Sequence, residues 1–267
     1  MNLAVFRHVL RQQRVRLPAV VAGLTFWGTL MPVVYATFGV TLRDIIEQFP
    51  MLEQFMQFGG GSMFTLPGSV ALGYIHPIAI ALLAVFAIAF PLSAVAGERQ
   101  RGTLEVVLSR PISRRAYYVT LLVASTLFVA LAIAATLVGT AVAAIALNVG
   151  EQLDFRNLPA LWLHGTLLYF SIAALSLAAS VSFDRMAPAA SVTLAIVLVS
   201  YFLQVIGSIW PDVDWLQPFS LFYYLKPEVV LTQGIQPTDL AVLGSIAALC
   251  IAFALLVFPR RDLAAPA

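Results

Sequence analysis

Residues 97–115 hold the densest group of charged side chains in this sequence. They include five of the fifteen basic residues, and long apolar runs flank them on both sides. Carboxylate and guanidinium groups in such an arrangement form charge-assisted hydrogen bonds, which suits recognition of another molecule. We therefore interpret this stretch as a short charged loop that contacts a soluble partner.

Catalytic chemistry has little support elsewhere in the sequence. A hydrolase needs a nucleophile and a base within reach of each other. We expect His8 on the inner side of the membrane and His76 and His164 near the outer ends of their helices, so no such pair is evident. The ATP-binding motif G-x-x-x-x-G-K-[ST] is impossible, since Lys226 is the only lysine and follows Leu225. We expect a protein that is no enzyme, and any ATP must be bound by another chain.

One group of side chains suits a soft metal ion. Met51, Met56 and Met63 lie close together with His76 after them, and thioethers are ligands for Cu(I). Their spacing is irregular and includes a glycine run, so apolar filling at an interface is the favoured interpretation. Cys250 is the only cysteine, which excludes an internal disulfide and a cysteine metal site. We predict no metal site and no cofactor bound by this chain.

The composition indicates a membrane protein. Hydrophobic residues make up 61% of the chain and charged residues 10%, with a mean hydropathy of +0.92. Six uncharged stretches each reach the about 20 residues that cross a bilayer. We predict one all-α integral membrane domain, residues 1–267. Its spans lie at about residues 17–40, 75–97, 116–147, 158–183, 187–210 and 239–258.

Basic residues indicate how the six spans are oriented. With the N-terminus inside, twelve of the fifteen Lys and Arg residues fall on the inner side, in line with the positive-inside rule. Both termini are therefore expected in the cytoplasm of a cell whose plasma or inner membrane holds the protein. Residues 1–16 have apolar side chains at helical spacing with arginines on the flanks, which predicts an amphipathic helix on the inner surface.

Two outer segments remain, residues 41–74 and 211–238. Residues 41–58 carry an apolar stripe and predict an interfacial helix, which ends at a glycine-rich hinge. Residues 215–225 form an apolar, aromatic run too short to cross the bilayer, which predicts an interfacial or re-entrant segment.

The fifth span carries a polar stripe. Ser200, Gln204 and Ser208 recur every four residues, with Tyr201 beside them. Such a stripe should face the helix bundle or a cavity rather than lipid, and it either lines a transport pathway or forms interhelical hydrogen bonds. The charged side chains lie in the loops or at the ends of the predicted spans, which argues against an ion-coupled secondary transporter.

The charged loop has a helical pattern of its own. Leu104, Val107 and Leu108 share one face of a two-turn helix, with Thr103 as N-cap and Pro111 as its stop. Glu105 near the start favours the helix dipole, and Ser113 can cap the third span. This helix suits insertion into a groove of a partner, although an anchor that only fixes topology fits the pattern equally well.

Residues 97–114, GERQRGTLEVVLSRPISR, resemble the signature of ABC-2-type transporter permeases. In that family a glutamate, a Gly-Thr-Leu-Glu core and a Leu-Ser-x-Pro-[Val/Ile]-Ser-Arg ending form the loop after the second span. The six spans and the amphipathic N-terminal helix fit the same family. The specific match covers about twenty residues.

The resemblance implies a coupling helix that docks on a separate ATP-binding subunit, which would hold ATP and magnesium. The residues expected in that docking are Glu98, Arg101, Gly102, Thr103, Leu104, Glu105, Val107, Leu108, Ser109, Pro111 and Arg114. It also implies pairing with a second copy or a sister permease. We expect an exporter of a hydrophobic or amphipathic substrate such as a drug, lipid or peptide, with no nucleic-acid partner. The alternatives are an ion-coupled secondary transporter, an intramembrane enzyme or a membrane assembly protein.

Overall fold

The computed structural model of the protein describes residues 2–48, 65–109 and 111–261, with the backbone alone for residues 40–48. These residues form helices and turns. In chain order the helices are α1 (Leu3–Gln12), α2 (Arg16–Gln48), α3 (Leu66–Ile75), α4 (Pro77–Gln100), α5 (Leu104–Leu108), α6 (Arg114–Ala146), α7 (Leu158–Ser182), α8 (Met186–Ile209), α9 (Pro227–Gln233) and α10 (Pro237–Val257).

Six helices of the described residues are long and apolar enough to cross a membrane: α2, α4, α6, α7, α8 and α10. The prediction of an all-α integral membrane fold is confirmed. Helix α7 lies at the centre, packed against α4, α6, α8 and α10. Most of its span is buried, whereas only a minority of the residues of α2, α8 and α10 are buried.

Helix α2 is longer than the predicted first span. It continues without a break to Gln48, because residues 41–48 extend the same helix instead of starting a separate interfacial one. The remainder of the predicted interfacial helix lies outside the described residues, together with the glycine hinge and Met51, Met56 and Met63.

A short apolar helix, α3, precedes the second span in what was expected to be an outer segment. Its ten residues reach only about 15 Å, too short to cross. Nearly all of them are buried, and the helix packs against α2 and α9. At its end His76 accepts a hydrogen bond from the Ile78 backbone through Nδ1 at 3.3 Å. Partial burial lowers the pKa of His76, which keeps this acceptor unprotonated at neutral pH.

Helices α2 and α6 are in direct backbone contact. A Cβ atom at Gly28 would lie 2.1 Å from the carbonyl oxygen of Thr136, and one at Gly139 would lie 2.1 Å from that of Thr25. The Thr140 hydroxyl donates across the contact to the Gly28 carbonyl at 3.2 Å. Glycine at both positions is therefore required for this packing.

Helix α4 is not a regular α-helix. Two π-helical segments, Val85–Ala89 and Ser93–Gly97, interrupt it on either side of Pro91. Such segments leave backbone groups without their usual partners, and hydroxyls of α7 satisfy some of them. Ser176 donates to the carbonyl of Ala87 at 2.8 Å.

Ser180 of α7 serves the second of these segments. Its hydroxyl donates to Leu92 at 3.1 Å and accepts from the backbone of Ala96 at 2.9 Å. On the α6 side, Tyr117 donates to the carbonyl of Ala94 at 2.8 Å. The irregular stretch of α4 is thus held from two neighbouring helices.

The second outer segment folds back over α8. Residues Pro211–Phe219 and Phe222–Tyr224 form 3-10 turns, and α9 follows. A Cβ atom at Gly207 of α8 would lie 2.5 Å from the Gln217 side chain, so the two elements are closely packed.

Candidate functional site

The charged loop begins where α4 ends. The helix stops at Gln100, and Gly102 takes a positive φ of 70° that other residues adopt only with strain. A Cβ atom at Gly102 would meet nothing within 4 Å, so conformation alone requires glycine there. This single turn separates α4 from α5.

Glu98 organises the turn from within the chain. Its carboxylate accepts hydrogen bonds from the guanidinium of Arg101 and from the hydroxyl of Thr103. Thr103 occupies the N-cap position of α5 but makes no side-chain cap, because its hydroxyl is bound to Glu98. Glu98, which we expect in docking, is thus hydrogen-bonded within its own chain.

Helix α5 turns its apolar face toward the body of the protein. Leu104 is 1% exposed within the core, and the half-buried Val107 and Leu108 pack against it. The sequence had suggested that these three residues contact a partner. In the structure the buried Leu104 anchors the loop to its own chain, while Val107 and Leu108 keep part of their surface exposed.

The opposite face of α5 is open. Glu105 and Ser109 are exposed, and Val106 is 68% exposed between them. Val106 was absent from the residues expected in docking. The helical spacing could have identified it, since it lies opposite Leu104 and Leu108.

The end of the loop is fixed to the last span. Ser113 caps α6 by accepting from the backbone of Ala116 at 3.1 Å. Arg114 donates to the carbonyls of Phe258 and Pro259, both at 3.3 Å, and to that of Arg261. Pro111 is exposed in the preceding turn. Arg114 therefore serves a contact inside the chain.

A buried arginine ties the start of the loop to two other spans. Arg99 is 1% exposed, and its Nη1 donates to the Asp184 carboxylate at 3.1 Å and to the Phe183 carbonyl at 3.3 Å. Arg261 Nη2 donates to the same carboxylate oxygen at 2.8 Å. The ends of α4, α7 and α10 thus meet at one carboxylate.

Sequence reasoning did not identify this cluster. Its available signal was Asp184, an acidic residue in the turn between the fourth and fifth spans, on the side expected to carry mostly basic residues.

The polar stripe of α8 faces the second outer segment of the same chain. The carbonyl of Ser200 accepts from Ser220 at 2.6 Å, and the ring of Tyr201 lies 5.8 Å from that of Phe222. Ser208 is half-buried, and its hydroxyl donates to the carbonyl of Val205 in its own helix.

Gln204, the remaining residue of the stripe, has a buried side-chain oxygen, Oε1, without a hydrogen-bond partner among the described residues. The stripe is therefore covered in this conformation.

An ion pair lies at the far end of α10. Lys226 Nζ binds the buried Asp239 carboxylate at 3.1 Å and lies 4.4 Å from the centre of the Tyr223 ring. Nearby, the buried His164 accepts from the Gln236 backbone at 3.2 Å. These contacts join the second outer segment to α7 and α10, far along the chain from the charged loop.

The described residues contain no cluster of His, Cys, Asp and Glu that could hold a metal ion. What they contain is a six-span helical body with an anchored, partly exposed amphipathic helix between two spans. This arrangement is that of a multi-pass membrane protein with an exposed helical face in the loop between two spans.

The family model described as "ABC-2 family transporter protein" matches residues 6–263, nearly the whole chain. The protein therefore belongs to the ABC-2 transporter family and is a membrane permease of an ABC transporter. Permeases of this family generally work with an ATP-binding subunit. A comparison with curated proteins gave no match.

Proposed function

We propose that this chain is the permease subunit of an ATP-driven exporter, coupled through residues 97–115 to a separate ATP-binding subunit. ATP and magnesium would be bound by that subunit. Both termini and the charged loop would lie in the cytoplasm, and the protein would reside in the plasma or inner cell membrane.

The exposed face of α5 carries this proposal. Leu104 holds one face of the helix in the core, while Glu105, Val106 and Ser109 project from the other. An exposed aliphatic side chain beside a carboxylate suits a groove with an apolar floor and a cationic rim. The contacts of Glu98, Arg99 and Arg114 brace the loop on both sides.

Bracing of this kind supports transmission of force. A loop fixed at both ends passes a push on α5 to α4 and α6 instead of absorbing it. Through Asp184 the same push reaches the ends of α7 and α10.

The weakly buried spans suit a paired assembly. Only a minority of the residues of α2, α8 and α10 are buried within one chain, and a second copy or a sister permease would cover part of the remaining apolar surface. The covered stripe of Ser200, Tyr201, Gln204 and Ser208 remains our prediction for the pathway, to be opened when the second outer segment moves. A hydrophobic or amphipathic cargo fits the uncharged spans.

The coupling proposal is tested with variants on the open face of α5. Val106→Asp and Glu105→Lys should release the ATP-binding subunit or uncouple its ATP hydrolysis. The first change puts a carboxylate against the apolar floor of the partner groove, and the second puts a cation against its cationic rim. Neither side chain is buried, so the permease should still fold.

The measurement is copurification through an affinity tag on the permease, with the partner identified by its ATPase activity and by a G-x-x-x-x-G-K-[ST] sequence. Glu151→Lys is the matched control, a charge reversal at an exposed turn between α6 and α7. Unchanged recovery and activity of the ATPase with both α5 variants would overturn the coupling role.

A further inference from the structure

A groove of about 720 Å³ opens between α1, the inner end of α4, the charged loop and the start of α6. Its volume lies within the range of about 300–1,000 Å³ that small-molecule sites occupy. The groove is separate from the polar stripe of α8 and from the outer ion pair, and neither contributes to its lining.

Apolar side chains form part of the groove wall. They belong to Val5 and Val9 of α1, Val107 and Ile112 of the loop, and Phe90 and Leu121 of the spans. Tyr117 also lines it, but its hydroxyl is already bound to the carbonyl of Ala94. An elongated apolar chain can lie along these walls without leaving a polar group unsatisfied.

The rim of the groove carries charges of both signs, but one of the charged side chains has no ion-pair partner among the described residues. Arg16 lines it, is exposed, and forms no ion pair among the described residues. Glu98 also lines it, but its carboxylate is taken by Arg101 and Thr103. The rim therefore offers a guanidinium for an anion and no free carboxylate for a cation.

Three further side chains add hydrogen-bonding capacity. His8 and Gln12, both lining the groove, are hydrogen-bonded to each other at 3.0 Å. Gln13 is 4% exposed, and its Oε1 is buried with no partner in the described part of the chain. Polar groups at one side of an apolar channel suit a ligand with a polar head and an apolar tail.

The position of α1 relates the groove to the bilayer. Arg7 and Arg11 are exposed on this helix, and Leu3 and Val15 beside it are 60% and 72% exposed. Exposed apolar and basic side chains together are typical of a helix at the boundary between head groups and acyl chains. A groove that opens beside such a helix is accessible to lipid.

We infer that this groove binds an anionic phospholipid of the inner leaflet. The acyl chain lies along Val5, Val9 and Phe90, and the phosphate binds Arg16. Basic pockets between helices on the cytoplasmic side bind anionic head groups by the same physics. This inference rests on the proposed orientation, with α1 on the inner side. The bound lipid joins α1 to the charged loop, so the lipid composition can affect coupling.

The test measures lipid retention on the purified full-length permease by native mass spectrometry. Dioleoyl phosphatidylglycerol and dioleoyl phosphatidylcholine serve as probes with identical chains and different head-group charge. We expect the anionic lipid to be retained, and Arg16→Gln to lower its retention about fivefold, as loss of one lipid-facing cation does.

Arg11→Gln is the matched control. It removes an exposed cation from the same region, but Arg11 does not line the groove, and retention should change by less than about twofold. If both variants lost the same amount of retained lipid, the lipid would be attracted to the basic surface in general, and the proposed site would be overturned. Equal retention of both lipids by the parent protein would do the same.

A second variant tests the apolar walls without relying on charge. Ala4 is exposed and lines the groove, so Ala4→Trp should fill it and displace lipid while the fold is kept. Leu3→Trp, exposed and outside the lining, should leave retention unchanged. Retention unaffected by Ala4→Trp would exclude the groove as the binding place.

Two competing occupants have their own signatures. Inorganic phosphate at millimolar concentration should not displace the lipid, and displacement would indicate a site for soluble anions. Loss of the lipid on addition of the ATP-binding subunit would identify the groove as a protein interface. Lipid retention is measured on the permease alone without ATP, so its failure would leave the coupling proposal untouched, and the reverse also holds.

Discussion

Arg99 is a fully buried guanidinium with one carboxylate beside it. Asp184 accepts its hydrogen bond at 3.1 Å, whereas Nε and Nη2 have no partner among the described residues. Removing one member of a buried pair costs about 3–5 kcal/mol, because the remaining charge is left uncompensated. The Asp184 side chain is 53% exposed, so solvent screening should bring the cost below that range.

Asp184→Asn should therefore lower the midpoint of thermal unfolding more than Arg99→Met. Asparagine leaves the buried charge in place, while methionine removes the charge and keeps apolar volume. The double variant should recover part of the loss. Thermal unfolding of the purified variants in one detergent gives the comparison, and a larger loss for Arg99→Met would show that Asp184 is not the group that compensates the charge.

Much of the residue-level chemistry could not be read from the sequence. The period of Leu104, Val107 and Leu108 revealed an amphipathic helix, but a period does not tell whether the apolar face meets the protein or a partner. Glu98 and Arg114 likewise have the residue types of a docking surface, yet both are used within the chain. Only the packing of distant segments decides these roles.

Among the helices, α4 has the least regular geometry. Its two π-helical segments lie between the charged loop and the outer side, and Ser176 and Ser180 of α7 hold backbone groups of both. Helices with such segments frequently have functional roles there. These hydrogen bonds therefore stabilise the π-helical conformation of α4.

Ser180→Ala should lower the free energy of unfolding by about 1 kcal/mol, since it removes two bonds of about 0.6 kcal/mol each within the membrane. Ser191→Ala is the control, because Ser191 is exposed and bonds only to Ala187 of its own helix. Thermal unfolding of both variants under the same conditions measures the difference. Equal stability of the two would mean that α4 does not depend on Ser180.

The sequence predicted the long elements better than the short ones. Six apolar stretches of sufficient length were enough for the spans, because the bilayer itself imposes that length. Helix α3 was not predicted. No charged residue separates its ten mostly apolar residues from the next span, so the sequence shows one long apolar stretch. The π-helical segments left no signal except Pro91, because they depend on hydroxyls from other helices.

At the scale of the whole molecule, the distribution of basic residues predicts the orientation. In a Cys250→Ser background, a cysteine replacing Glu105 should react with a membrane-impermeant thiol reagent only from the cytoplasm. A cysteine replacing Glu151 should react only from outside. Both positions are exposed, unlike Arg99, so both should be reactive. Labelling of both from one side would contradict the six-span topology.

The glycine contact between α2 and α6 should make these two helices move together, separately from α4. Because the backbones touch at Gly28 and Gly139, the first and third spans form one rigid unit. Helix α6 belongs to this unit, and the charged loop ends where α6 begins. The loop begins at the end of α4, an irregular helix whose backbone is held by side-chain hydroxyls of neighbouring helices. A push on α5 should therefore move α2 and α6 together as one body while α4 changes its shape, and distances between α2 and α6 should stay constant throughout the transport cycle.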